Sequence, residues 1–174
     1  MNIHTSRLLL VPVTADLVAL EITGNDVLGQ ALNAEVPKEW PPEELADALP
    51  WFLEQLKANP ELAGWLGWYG LLLRGSGELP LLVGSGGFFG LPEEGTVEVG
   101  YSVLPQFQRR GYATEMVGAL VEWALSQPTV HRVVAETKSD NVASLGVLNK
   151  LGFLGIGAGR EKEMLKFERM REAG

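Results

Sequence analysis

Cysteine is missing from this sequence, which removes a disulfide framework, a thiolate nucleophile and any zinc site built on sulfur ligands. Histidine is nearly as scarce: His4 and His131 lie far apart, so no metal is expected. Basic residues are outnumbered, 14 Lys and Arg against 22 Asp and Glu, and the formal net charge is −8. A protein that neutralises phosphates needs a basic stripe, so a nucleic-acid partner is not expected, whereas a basic or neutral amine partner is compatible. A charge of this size also serves simply to keep a small domain in solution. No apolar run approaches the ~20 residues that cross a bilayer, and Met1 to Arg7 lacks a charged segment followed by an apolar stretch. The expectation is a cytoplasmic protein with no membrane partner.

What is present reads as an ordinary folding chain. Of 174 residues, 46% are hydrophobic and 21% charged, which suits one globular domain over residues 1–174 that buries roughly 70% of its unfolded surface. Arg7 to Val13 reads as a first strand closed by Pro12. Thr14 is placed to cap a short helix from Ala15 that stops near Gly24. Residues 34 to 42 carry three prolines around Trp40 and form a stiff loop. Leu45, Ala48, Leu49, Phe52, Leu53 and Leu56 recur at helical spacing and predict a helix from Glu43 to Ala58, with Asn59-Pro60 as the stop.

Strands are then expected over Trp65 to Leu73, Leu79 to Phe89 and Thr96 to Leu104, joined by short glycine- and proline-containing turns as an antiparallel meander. Beyond them the period changes. Val117, Leu120, Val121, Ala124 and Leu125 mark a helix, His131 to Thr137 a strand, Val142 to Leu151 a helix, Phe153 to Ile156 a strand and Met164 to Met170 a last strand. The fold class is α/β, with a mixed, mostly antiparallel central sheet flanked by about four helices.

The sharpest chemical feature is Gln108-Arg109-Arg110-Gly111-Tyr112-Ala113, which follows a strand and opens a helix. A helix start offers unpaired backbone N–H groups and a positive dipole end, which together suit a pyrophosphate. Gly111 and Ala113 keep side-chain bulk away, and Arg109 and Arg110 add charge; read alone, the six residues fit equally a glycine turn before a helix. No Gly-x-x-x-x-Gly-Lys-Ser/Thr loop occurs, and Gly84 to Gly90 fails the dinucleotide fingerprint because Phe89 stands where its third glycine belongs. Glu98 shares a strand face with Gly100 and Ser102, opposite Val97, Val99, Tyr101 and Val103, and by itself would pass for a solvated strand position. Ser144 lies in the first turn of the helix that Asp140 or Asn141 caps, where a polar residue is ordinary. Gly152 and Phe153 have the pattern of a left-handed helix end, and Trp123 reads as packing.

Gln-x-x-Gly-x-Ala after a strand resembles the acetyl-CoA motif of the GNAT N-acetyltransferase superfamily. Gly84 to Gly90, Val97 to Val103, Asp140 to Ser144 and Leu148 to Phe153 resemble its ribosomal-protein-alanine N-acetyltransferase (Rim-type) branch, as does Arg7 to Leu10. The resemblance is strongest from Val83 to Gly157. It implies a single GNAT domain whose sheet splays between its fourth and fifth strands, the fourth being Thr96 to Leu104. The pantetheine arm of the cosubstrate acetyl-CoA would lie along Tyr101 and Val103, with Asn141 also holding it. Its pyrophosphate would meet Gln108, Arg109, Arg110, Gly111, Tyr112, Ala113 and Thr114.

On the same resemblance Glu98 is the general base, acting directly or through water, with Glu136 the next candidate, and Ser144 protonates the departing thiolate. Trp40 becomes part of the acceptor wall, the alternative being a core plug. The implied partner is an amine, either a peptide N-terminus or a small molecule of aminoglycoside or polyamine type, and the pattern leaves room for a homodimer. A non-catalytic acetyl-CoA-binding domain is the competing reading, in which Glu98 and Ser144 would be idle. Deprotonation favours an α-amine: from pKa near 8 it lies about 1 unit above neutral pH, against roughly 3.4 units for a lysine side chain.

Overall fold

The computed structural model describes residues 1–174. Eight strands form one sheet: β1 (Ile3–His4), β2 (Leu8–Pro12), β3 (Trp68–Leu72), β4 (Leu81–Phe88), β5 (Thr96–Val103), β6 (Arg132–Lys138), β7 (Leu154–Ala158) and β8 (Met164–Met170). Their order across the sheet is β1-β2-β3-β4-β5-β6-β8-β7, and every neighbouring pair is antiparallel except β5 and β6. Five helices accompany them: α1 (Ala15–Thr23), α2 (Asn25–Leu32), α3 (Glu43–Ala58), α4 (Tyr112–Ser126) and α5 (Val142–Lys150).

Alternation along the strands sends side chains into two separate cores. Trp68 and Val83 join the core beneath α4 and α5, while their neighbours Tyr69 and Leu82 join the one beneath α1, α2 and α3. On α4, Met116, Val117, Leu120, Val121 and Ala124 fall on one face and are at most 1% exposed. Each of the larger four, Met116, Val117, Leu120 and Val121, contributes roughly 1.5–3 kcal/mol on burial, so this stripe fixes α4 across the sheet. Gly84 to Gly90, glycine-rich as it is, mostly runs through β4 as strand. At Gly87 a Cβ would stand 2.5 Å from the carbonyl oxygen of Leu66, so only glycine lets the chain entering β3 cross so closely.

The expected helix ends hold. The Thr14 hydroxyl accepts from the Leu17 N–H at 3.3 Å, and α3 spans the residues its spacing implies despite Pro50 inside it. Two elements depart from expectation, making five helices rather than four. Residues 25–32 fold as α2, although Gly29 interrupts the stretch, no side chain caps it and only Leu28 is fully buried. Ile3 and His4 pair with Leu10 and Leu9 as a two-residue edge strand, too short to show a period. Counting it, the strand expected as fourth is β5.

Candidate active site

Where β5 meets β6 the parallel pairing covers only Thr96 with Arg132, Val97 with Val133 and Glu98 with Val134. Beyond Glu98 both strands continue, but β6 keeps pairing with β8 through Lys138, whereas β5 keeps pairing with β4 through Val103. The two strands therefore diverge, and the β6-facing edge of residues 99–103 is left without a partner strand.

The N-terminus of α4 stands beside that opening. Gly111 precedes it with φ 81°, a left-handed conformation that favours glycine, and Arg109 also has positive φ, 62°. Arg109 and Arg110 are exposed and neither pairs with a carboxylate. Gln108, itself exposed, turns back to donate its amide to the Val103 carbonyl at 2.9 Å, tying the turn to the end of β5. Tyr112 is buried, Ala113 and Thr114 are half-buried, and the Arg7 guanidinium lies 4.7 Å from the Tyr112 ring centre. Glu115 holds this end of the helix to the start of β2. It accepts from the Thr5 hydroxyl at 2.6 Å and from the Arg7 backbone and guanidinium, each at 2.7 Å. Burial would raise the Glu115 carboxyl, but the hydrogen bonds from Thr5 and Arg7 outweigh it and hold the group below its ordinary value.

Glu98 sits at the fork, the last residue of β5 paired to β6. Its carboxylate accepts from Arg160 Nη2 at 2.6 Å, and Arg160 Nε lies 3.4 Å from Glu136, whose side chain is 5% exposed. Burial pushes the Glu98 carboxyl above its usual range; Arg160 opposes this, Glu136 adds to it and Lys166 opposes it. Glu98 and Glu136 thus face one guanidinium from opposite sides of the opening.

Across the same gap stands the first turn of α5. Asn141 caps the helix, accepting the Ser144 N–H at 3.1 Å, and its own side chain is exposed. Burial raises the Tyr101 hydroxyl, and the nearby Ser144 side chain opposes the shift. No hydrogen bond of ordinary geometry closes between the two, so the buried Tyr101 oxygen has no partner. The divergence therefore gathers Glu98, Tyr101, Val103, Gln108 to Thr114, Asn141 and Ser144 around one opening.

On the other side of β5 lies a cavity of about 480 Å³ between α1, α3 and strands β3 to β5. Gly100 and Ser102 line its β5 side, and Leu45, Trp51, Phe52 and Phe89 form much of its apolar wall. Glu98 is not a lining residue but shares their strand face, with Gly100 next along it. Trp40 stands behind this wall instead of in it, a correction to its expected place. It is 3% exposed, packs edge-on to Tyr69 and donates its indole N–H to Glu21 at 2.8 Å, so its polar edge and its ring are both occupied inside the core. The aromatic wall comes instead from Trp51 and Phe52 of α3 and from Phe89.

Glu21 was not anticipated as a site residue. It lines the cavity at 5% exposure and takes a second hydrogen bond, 2.6 Å, from the Tyr69 hydroxyl. The sequence does carry a signal for it, because Glu21 falls four residues after Leu17 and three after Val18, within the apolar stripe of α1. No group of three or more His, Cys, Asp or Glu side chains is arranged to hold a metal ion.

Known proteins resemble this chain in sequence and in fold. A family model described as an acetyltransferase (GNAT) domain matches residues 7–154. The uncharacterized N-acetyltransferase YjdG of Bacillus subtilis (strain 168) is 33% identical over 153 residues, covering 87% of this chain and 89% of the relative. An acetyltransferase of the GNAT family from Bacillus anthracis superposes with a TM-score of 0.64 at 20% identity, covering 99% of this chain and 100% of that one. The ribosomal L7/L12 α-N-protein acetyltransferase RimL, solved in complex with coenzyme A, gives 0.66 at 18% identity, covering 98% of each chain. Fold, family model and relatives converge: the chain belongs to the GNAT family of N-acetyltransferases.

Proposed function

We propose that this chain binds acetyl-CoA in the opening between β5 and β6 and transfers the acetyl group to a primary amine presented from the cavity beside β5. The observation that carries the reading is the divergence after Glu98, which leaves a strand edge free next to a helix N-terminus bearing two unpaired arginines. These residues fit the cosubstrate. Gly111 and the start of α4 suit its pyrophosphate, Arg109 and Arg110 add charge, and the edge of Tyr101 to Val103 and Asn141 suit the pantetheine arm. When bound, acetyl-CoA supplies the activated acyl group.

The chain's own residues handle protons. Glu98, made more basic by burial, takes a proton from the amine, through water where the amine stands beside Gly100 or Ser102. The Ser144 hydroxyl, on the first turn of α5 and near Tyr101, gives a proton to the departing thiolate.

The leading acceptor is a protein N-terminal α-amine, because it asks least of a single carboxylate base. A small-molecule amine is the second reading, favoured by a cavity whose size falls in the range typical of small-ligand sites. Incubation with acetyl-CoA and a panel of N-terminal peptides, polyamines, aminoglycosides and aryl amines, read by mass, tests the proposal. Acetylated product in any arm supports transfer. Tight acetyl-CoA binding with no product in any arm leaves a binding domain and refutes catalysis.

A further inference from the structure

The cavity beside β5 is asymmetric in charge. No Lys or Arg lines it, but the acidic residues Glu21 and Glu44 do. Glu21 is 5% exposed and, unlike the equally enclosed Glu136 side chain, forms no ion pair. Its two bonds come from neutral donors, Trp40 Nε1 to Oε1 and Tyr69 Oη to Oε2, and each carboxylate oxygen retains a further acceptor position. A buried carboxylate without an opposite charge is costly, and a cation reaching it would remove that cost.

The rest of the wall is apolar, and two of its aromatic rings are unusually open, Trp51 at 50% and Phe89 at 71% exposure. Open aromatic faces accept both an apolar body and a cation. Gly100 and Ser102 line the same cavity on the β5 side, so a ligand within it spans from the proposed reaction site to Glu21.

We infer that the acceptor is a small dibasic amine: an apolar, ring-sized body with the reacting primary amine at its β5 end and a second cationic N–H donor bound by Glu21. The inference rests on the acetyl-transfer reading of the β5–β6 opening, and the charge of the cavity takes it to the second acceptor reading, a small-molecule amine, in place of the peptide N-terminus. Burial holds the Glu21 carboxyl above its ordinary value despite the bonds from Tyr69 and Trp40, as befits a site without a cation.

The test compares para-amidinobenzylamine with para-methylbenzylamine, which share the reacting amine and ring but differ in the second cation. Wild type is expected to prefer the amidine by about tenfold or more in kcat/KM, the scale of a hydrogen bond to a charged group. Glu21→Gln keeps the shape and should bring the ratio toward one through a raised amidine KM, with acetyl-CoA affinity unchanged. Ala48→Trp, which fills the cavity from α3 and leaves the Glu21 side chain unchanged, should raise KM for both amines. No preference in wild type, or the same preference in Glu21→Gln, overturns the inference, as does an Ala48→Trp variant with unchanged KM values. Calorimetric binding of the amidine in the presence of coenzyme A separates the two levels. Binding that Glu21→Gln weakens upholds the subsite even where no transfer occurs, whereas acetylation confined to peptides the amidine does not compete with overturns it.

Discussion

Truncating Trp40 to alanine probes whether this tryptophan holds the core or meets the acceptor. Removing a buried large aromatic costs about 3–5 kcal/mol. The indole also supplies one of the two hydrogen bonds to Glu21, and leaving a buried acceptor short of a donor costs about 1–3 kcal/mol more. With incomplete additivity the expected loss is about 4–7 kcal/mol. For a domain of this length each kcal/mol moves Tm by about 2–4 °C, so melting should fall by about 10–25 °C. Trp40→Phe keeps an aromatic ring against Tyr69 but loses the N–H, and should fall by a smaller amount. Differential scanning fluorimetry reads both variants. Acetyl-CoA affinity, measured well below the lowered Tm, should match wild type because Trp40 belongs to the core beneath α1 and α3, to which α4 contributes no residue. A Trp40→Ala protein that melts within a few degrees of wild type while its acceptor KM rises would refute the buried placement and make Trp40 a wall residue.

At Gly111 a valine would be strained at φ 81° and its Cβ would stand 3.2 Å from Arg7 Nη2. Gly111→Val should therefore weaken acetyl-CoA binding by calorimetry, and unchanged affinity in a folded variant would move the pyrophosphate site elsewhere. Glu98→Gln should lower turnover while sparing acetyl-CoA affinity. Since the Glu98 pKa is raised, wild-type activity should fall as pH drops through that raised value, and the variant's deficit should shrink as rising pH deprotonates the amine unaided. The Glu115 pKa is lowered, so its contribution to stability is present above the ordinary glutamate value and lost as pH falls through the lowered one. Glu115→Gln should thus reduce stability at neutral pH and flatten the acid side of the melting profile, and parallel profiles for the two proteins would remove the brace from the account.

Elements with a strong period and a chemical end were legible in the sequence. Thr14, the α3 stripe from Leu45 to Leu56 and the α4 stripe from Val117 to Leu125 each combine spacing with a stop or cap. The helix over residues 25–32 was not, because its one buried residue, Leu28, sets no period and Gly29 weakens it; docking, not propensity, folds it. The turn from Gln108 to Ala113 was legible because its chemistry is local. The cavity beside β5 was not, because it is assembled from α1, α3 and three strands that the chain brings together only on folding. Trp40 illustrates the limit: three prolines nearby describe a stiff loop but not which way the ring points. Glu21, which takes its indole N–H, lies 19 residues away, and Tyr69, which shares that carboxylate, lies 48 residues from Glu21.

The position of the fork explains why one strand suits both halves of the proposed reaction. β6 is committed to β8 along its whole length, from Arg132 with Met170 to Lys138 with Met164, so it cannot bend to follow β5. β5 is committed equally to β4, where Gly84 to Phe88 pair with Val103 to Val99. Two strands each held on their far side can share only a short stretch, and sheet twist carries them apart beyond it. Glu98 is the last residue within the shared stretch, so its backbone is held from both sides while the next residues present an open edge. A base needs a fixed position, whereas a strand-like ligand arm needs unpaired backbone, and the fork supplies both within one strand step. The surrounding charges fit the same division. Arg160 is 67% exposed, so its ion pairs with Glu98 and Glu136 are screened by solvent and worth little to the fold. Their consequence is local instead: a cation that solvent readily competes for shields two carboxylates at the lips of the opening, and it can yield to an incoming ammonium group without loosening the strands that hold Glu98 in place.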